Sequence, residues 1–410
     1  MMRLLIYIFP AVVDMVLGAV MFLTTVRMAE SGASATAVTL LMTTWSFVYM
    51  ICAFALSKLI TSRNAAWLNI ASGMILAIAC MGFIVIPDIR IMYLFVVVVA
   101  IANAMFFAPF QIFMKAVERN QSSGIVRSTA LYTFAWSSGI AMGPFVTGYL
   151  WTRAGWNWCH ILNATLAVLT SIGIYCLKHY AHPEDEDIRI NDDNSSDSYR
   201  QSQSEQLVEC QDEYAQAPDL AWLAWFGAGL GILVIMIVRG ILPITGVSLE
   251  IPRPRLGIIF ALISMTQAIV GLSFIKSRIW MFRIKPIIIF SLFGAVSLLG
   301  FAYAKSLFPL YLSAICAGVY AGAIFFYFVF HSLVHPTKAP KYIAINESVV
   351  GLAGIIGPLI GGLIVDSFNL STAYIFGSAV ILLAGIFKAI IHYRNSFGLA
   401  NEQQQNSGKG

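Results

Sequence analysis

The sequence predicts an all-α membrane protein of twelve transmembrane helices, arranged as two pseudo-symmetric six-helix bundles with both termini cytoplasmic. Three observations carry this. The 410-residue chain is 59% hydrophobic and only 11% charged, whereas soluble domains carry roughly 25% charged residues. Apolar runs of about 20 residues, the length that crosses the hydrocarbon, recur along most of it. An internal similarity divides these runs six and six.

The runs fall near 4–26, 36–58, 66–87, 91–114, 128–151, 158–178, 220–243, 255–276, 286–304, 306–331, 342–365 and 371–393. Stretches such as YLFVVVVAIANAMFF are too long and continuous for barrel strands, which alternate over about ten residues. The first run follows Met1-Met2-Arg3 in the manner of a signal peptide. Asp14 in its middle, and a counterpart later in the chain, mark it as a retained first helix. With the N-terminus inside, eighteen Lys and Arg fall on the cytoplasmic side, six outside (Arg27, Arg90, Arg153, Arg253, Arg255, Lys305) and one, Arg239, in the seventh run. That bias sets the orientation. The net charge of +5 is therefore a topology signal, and no nucleic-acid partner is expected. Six cysteines without CxxC spacing imply neither a disulfide framework nor a zinc site.

Residues 1–178 form the first bundle and 219–398 the second. Between them, 179–218 is polar, and twelve acidic residues lie from Glu184 to Asp219, as suits a disordered cytoplasmic linker. Residues 399–410 read as a disordered tail. AMFF at 104–107 matches AIFF at 323–326, and MGPFVTGYLW from Met142 matches IGPLIGGLIV from Ile356 at an offset of 214. Two such halves in the same orientation make a parallel repeat about an axis along the membrane normal.

Residues 351–362 read GLAGIIGPLIGG. In water each interior glycine would cost about 1 kcal/mol against alanine. Between membrane helices small residues instead let backbones approach, and Gly354, Pro358 and Gly362, or Gly357 and Gly361, have that spacing. Neighbouring helices satisfy the carbonyl that Pro358 frees. Span five carries a twin in Gly139, Gly143, Pro144 and Gly148. Both stretches are read as flexing and sealing points near the outer gate.

Asp14 lies about 15 Å from the inner end of its span at 1.5 Å per residue. A carboxylate there costs about 2.5–3.5 kcal/mol to insert, so it faces a cavity or a partner, and it is the candidate proton-coupling acid. Glu347 is the second intramembrane acid. Arg239 invites a role toward an anionic substrate or toward Asp14 across the cavity. Aligning Leu17-Gly18 with Leu230-Gly231, however, puts it near the position of Arg27. Pro243 would then end the helix and let Arg239 snorkel outward. Span four offers Asn103, Phe107 and Gln111, span ten offers Tyr320 and Phe326, and Thr43, Trp45 and Gln267 sit at cavity depth. Aromatic walls with few polar anchors suit an amphipathic organic molecule, although most membrane aromatics only pack. His331 and His335, spaced i, i+4, read as a helix-end pair, and no metal or other cofactor is expected.

At this point the chain resembles the major facilitator superfamily of secondary transporters. Gly139-x-x-x-Gly143-Pro144-x-x-x-Gly148 looks like the family's antiporter motif, common in proton-coupled drug exporters. The family's loop motif after span two is eroded to SKLITSRNA, with Ser57 and Thr61 where Gly and Asp are usual, while Lys58 and Arg63 keep the positive charge. The resemblance implies that span eleven lies near span two, so that Glu347 pairs with Lys58 or Arg63 as an inner charge lock. It also implies alternating access, with a small organic solute and protons as partners. Export by exchange is favoured, and proton-linked import of a sugar or other metabolite is the alternative. A polytopic enzyme would show a convergent set of His, Asp, Ser or Cys, which is lacking, and a sensor would need an ordered signalling domain. A monomer in the plasma (inner) membrane is expected.

Overall fold

The computed structural model describes residues 6–57, 59–61, 63–118, 125–178, 221–274, 284–333 and 339–407. Among these, twelve helices follow one another: α1 (Ile8–Glu30), α2 (Ala35–Ser57), α3 (Ala65–Val85), α4 (Met92–Glu118), α5 (Ile125–Ala154), α6 (Trp156–Leu177), α7 (Ala221–Ser248), α8 (Arg253–Ser273), α9 (Ile284–Tyr303), α10 (Leu307–Leu333), α11 (Ala339–Ser367) and α12 (Leu370–Ser407). All except α5 are long and apolar enough to cross a membrane. The expected linker lies outside the described residues, and α12 runs past 398, where the second bundle was expected to end.

Short connections with specific turn chemistry separate the helices. After α1, the Ser31 N–H donates to the Arg27 and Met28 carbonyls at 3.1 and 3.2 Å, and Gly32, at φ +76°, turns the chain. Gly155, at φ +91°, alone joins α5 to α6; glycine pays no Cβ penalty in that region. Asn369 Oδ1 accepts the Thr372 N–H at 2.9 Å and caps α12.

Within each half, glycines bring one helix onto another. A Cβ on Gly139 would strike the Ala11 carbonyl, and one on Gly143 the Met15 carbonyl, so α5 lies directly on α1. In the second half a Cβ on Gly357 would come within 2.5 Å of the Leu233 carbonyl, and Gly361 faces Ile237, so α11 lies on α7 in the same way. The small-residue spacing therefore serves close backbone packing. These paired contacts also give the register of the repeat. Met15 corresponds to Leu233, an offset of 218, and not the 213 implied by pairing Leu17 with Leu230.

The halves meet along two seams, α2 against α11 and α5 against α8, with α1 and α7 between them. Gly354 faces Ser46, and Gly362 faces Thr36 and Thr39, on the first seam. On the second, Gly148 lies against the Arg253 carbonyl and Gly257 against that of Pro144. One apolar core crosses the junction, with Phe22, Leu23, Val26 and Trp151 packed among Val238, Ile241, Leu256 and Ile259. These residues sit at the ends of the bundles that the Lys and Arg bias places outside. The outer end is thus plugged by a continuous hydrophobic layer.

Candidate functional site

The site is built where α1, α5, α7 and α8 converge. The Asp14 side chain is 3% exposed, and its Oδ2 is buried without a hydrogen bond among the described residues. Arg239 on α7 is the opposite charge that acts on it, and Asp14 acts on Arg239 in return. No direct ion pair joins the two among the described residues, where Arg253 and Glu30 form the one such pair. The guanidinium is held from α8 instead. Its Nη2 donates to Ser264 Oγ at 3.3 Å and to Gln267 Oε1 at 3.1 Å. Gln267 Nε2 in turn donates to Ser137 Oγ on α5 at 3.4 Å. Ser137, Ser264 and Gln267 are all buried, so this polar chain ties the halves together in a low-dielectric interior where each link matters.

Arg239 therefore does not snorkel. Pro243 is accommodated inside α7, which continues to Ser248. That leaves Arg239 about 14 Å from the outer helix end at 1.5 Å per residue. With the offset of 218, its counterpart is Met21 and not Arg27. The expectation failed because the sequence pairing was out of register by more than one turn.

The remaining cavity residues divide. Trp45 stacks on Tyr49 with ring centroids 5.2 Å apart, and Tyr49 meets Phe107 edge-on at 6.2 Å, so Trp45 and Phe107 join one aromatic ladder between α2 and α4. Thr43 is instead a seam residue, its hydroxyl donating to the Ile355 carbonyl across the junction at 3.1 Å. Asn103 is fully buried in the first bundle, and neither atom of its amide has a hydrogen-bond partner among the described residues. Tyr320 is likewise buried in the second bundle, against Gly231 and Gly294. Phe326 packs on Phe274 at 5.4 Å, while Phe325, one residue away, crosses to Trp136 on α5 at 6.1 Å. Gln111 is exposed, as is Arg63. Lys58, His335 and the side chains of Glu347 and His331 lie outside the described residues, as does any lock they form. No cluster of three potential metal ligands occurs among the described residues.

A set of outer contacts escaped the sequence reading. Asp366 on α11 accepts the backbone N–H groups of Ala35 and Thr36 on α2, at 2.7 and 2.8 Å. Arg253 on α8 makes a two-pronged contact with Glu30 on α1, both bonds 2.8 Å, and stacks its guanidinium on Trp151 at 4.0 Å. All three join opposite halves. The available signal was the placement of Glu30, Arg253 and Asp366 at outer span ends, where Arg253 had counted only as a topology charge.

The pattern of the Major Facilitator Superfamily matches residues 4–333. The fold is similar to that of the nucleoside transporter NupG, with a TM-score of 0.69 at 13% identity over 95% of this chain and 98% of that one. A point mutant of the same transporter gives 0.68 at 13% identity, over 95% and 99%. No curated protein matches the chain. At such identity the likeness to NupG carries the fold alone, but the family pattern runs through the glycine seam of α5 and the helices that build the polar junction, so this chain, a multi-pass membrane protein, belongs to the Major Facilitator Superfamily.

Proposed function

We propose that the protein is a proton-coupled secondary transporter of a small organic solute, working by alternating access, with Asp14 as the coupling acid. The observation that carries this is the buried Asp14 carboxylate, with one oxygen unpartnered and the cationic Arg239 of the other half acting on it. An intramembrane acid held this way is a natural proton carrier. When Asp14 takes up a proton, its attraction to Arg239 is lost and the link between α1 and α7 weakens. Arg239 and Gln267 then act as the polar anchors that orient the solute, and the Trp45–Tyr49–Phe107 ladder supplies an apolar wall. The conformation with the outer end plugged is a member of the cycle closed to the outside.

Export by exchange is the favoured direction, on the antiporter-like Gly139-to-Gly148 pattern. Import uses the same proton site and differs in whether proton and solute ride together. The test is solute flux in proteoliposomes under an imposed pH gradient, over a panel of drugs, sugars and nucleosides. Uptake driven by an acidic interior supports exchange, uptake driven by an acidic exterior supports import, and flux indifferent to the gradient rejects proton coupling.

A further inference from the structure

Lys388 on α12 is a cation buried inside the second bundle, away from the Asp14–Arg239 junction. Its side chain is 8% exposed. It lines a small, partly open pocket between α7, α9, α10, α12 and the end of α8. The stem of Lys388 lies in a notch left by Gly227, where a Cβ would strike Cε and Nζ. The ammonium stands 5.8 Å from the Tyr327 ring centroid. Among the described residues it has neither a hydrogen bond nor an anionic partner. A buried ammonium is costly unless paired, so an anionic group is the chemistry that this pocket would favour.

Two further features say which anion. The walls are mostly apolar, with Phe274, Phe290 and Ile381 facing Lys388 and Ser291, which suits the chain of an amphiphile and not a free ion. Lys388 also lies about 27 Å along α12 from its outer start at 1.5 Å per residue, the depth of the inner headgroup boundary in a hydrocarbon core of about 30 Å. The described, exposed Lys285 stands one residue before Pro286 of the pocket lining, and basic pockets between helices on this side hold anionic headgroups. We propose that the cavity binds an anionic lipid of the inner leaflet, its phosphate on Lys388 and its apolar part along Phe274 and Phe290.

The test is binding of a fluorescent phosphatidylglycerol to the purified full chain in neutral detergent, with the matching phosphatidylcholine as control. Wild type should bind phosphatidylglycerol saturably. Lys388→Gln should weaken it about tenfold, the scale of one charge-assisted hydrogen bond, while Lys388→Arg retains it. Should Lys388→Gln fail to fold, Ala384→Leu fills the cavity with the lysine intact, and it should weaken binding likewise. Unchanged binding in both variants, or equal binding of the zwitterionic control, overturns the proposal. Displacement of the lipid by millimolar glycerol phosphate would assign the site to a free phosphate ester and overturn the lipid source.

Discussion

The Asp366 carboxylate of α11 accepts the N–H groups of both Ala35 and Thr36, so the first turn of α2 is capped by a residue of the opposite half. Those N–H groups are orphans of the helix start, and a carboxylate there also meets the positive end of the helix dipole. The outer closure is therefore paired with helix capping: separating the halves uncaps α2.

Asp366→Ala removes that cap, worth about 1 kcal/mol at a typical helix start. The expected result is a closed state weakened by roughly fivefold at that energy. Maleimide labelling of a Thr39→Cys reporter, buried in the native seam, should quicken from the outer side. An unchanged rate would reduce the contact to local capping.

Glu30→Gln should do less. The Arg253–Glu30 pair is 36% and 31% exposed, and exposed pairs contribute about 0.2–1 kcal/mol. Arg253→Ala should do more, because the stack on Trp151 is lost as well. The same labelling assay reads both, and equal effects would remove the stack from the latch.

The glycines fall into two classes with different expected phenotypes. Gly362→Leu intrudes on Thr36 and Thr39 across the junction, whereas Gly357→Leu intrudes on α7 within one half. Overpacking costs typically 1–3 kcal/mol. For Gly362→Leu this should appear as outer opening with a small change in Tm. For Gly357→Leu, as for Gly143→Leu against α1, it should appear mainly as a lower Tm. A common phenotype would mean that the seams and the bundles move as one body.

Arg239→Gln leaves Asp14 without its opposing charge. Removing one partner of a buried charge arrangement costs on the order of 3 kcal/mol. Tm should fall, and adding Asp14→Asn should restore it without restoring uphill transport. A single mutant as stable as wild type would show that the two charges do not stabilise one another.

The twelve helices, their order and the twofold repeat of six were legible because span length and glycine spacing are local properties of the chain. The polar junction was only partly so. Asp14 and Gln267 stood out as polar residues in apolar runs, but which neighbours they meet depends on register. A five-residue error in pairing α1 with α7 carried Arg239 from the centre of the junction to the interface. Asn103 and Tyr320 show a related limit: a helix near the central axis also presents faces to its own bundle, and depth alone does not say which face a side chain takes. Asp366 went unremarked because its partners are backbone N–H groups some 330 residues away in sequence, a pairing with no signature in side-chain pattern.

The most direct measurement is solute flux by purified protein in proteoliposomes, wild type against Asp14→Asn, with and without an imposed pH gradient. Wild type should accumulate or expel solute uphill in the direction the gradient dictates. Asp14→Asn should lose uphill transport while still exchanging solute across the bilayer. Full uphill activity in the mutant, or wild-type flux that ignores the gradient, would contradict proton coupling through Asp14.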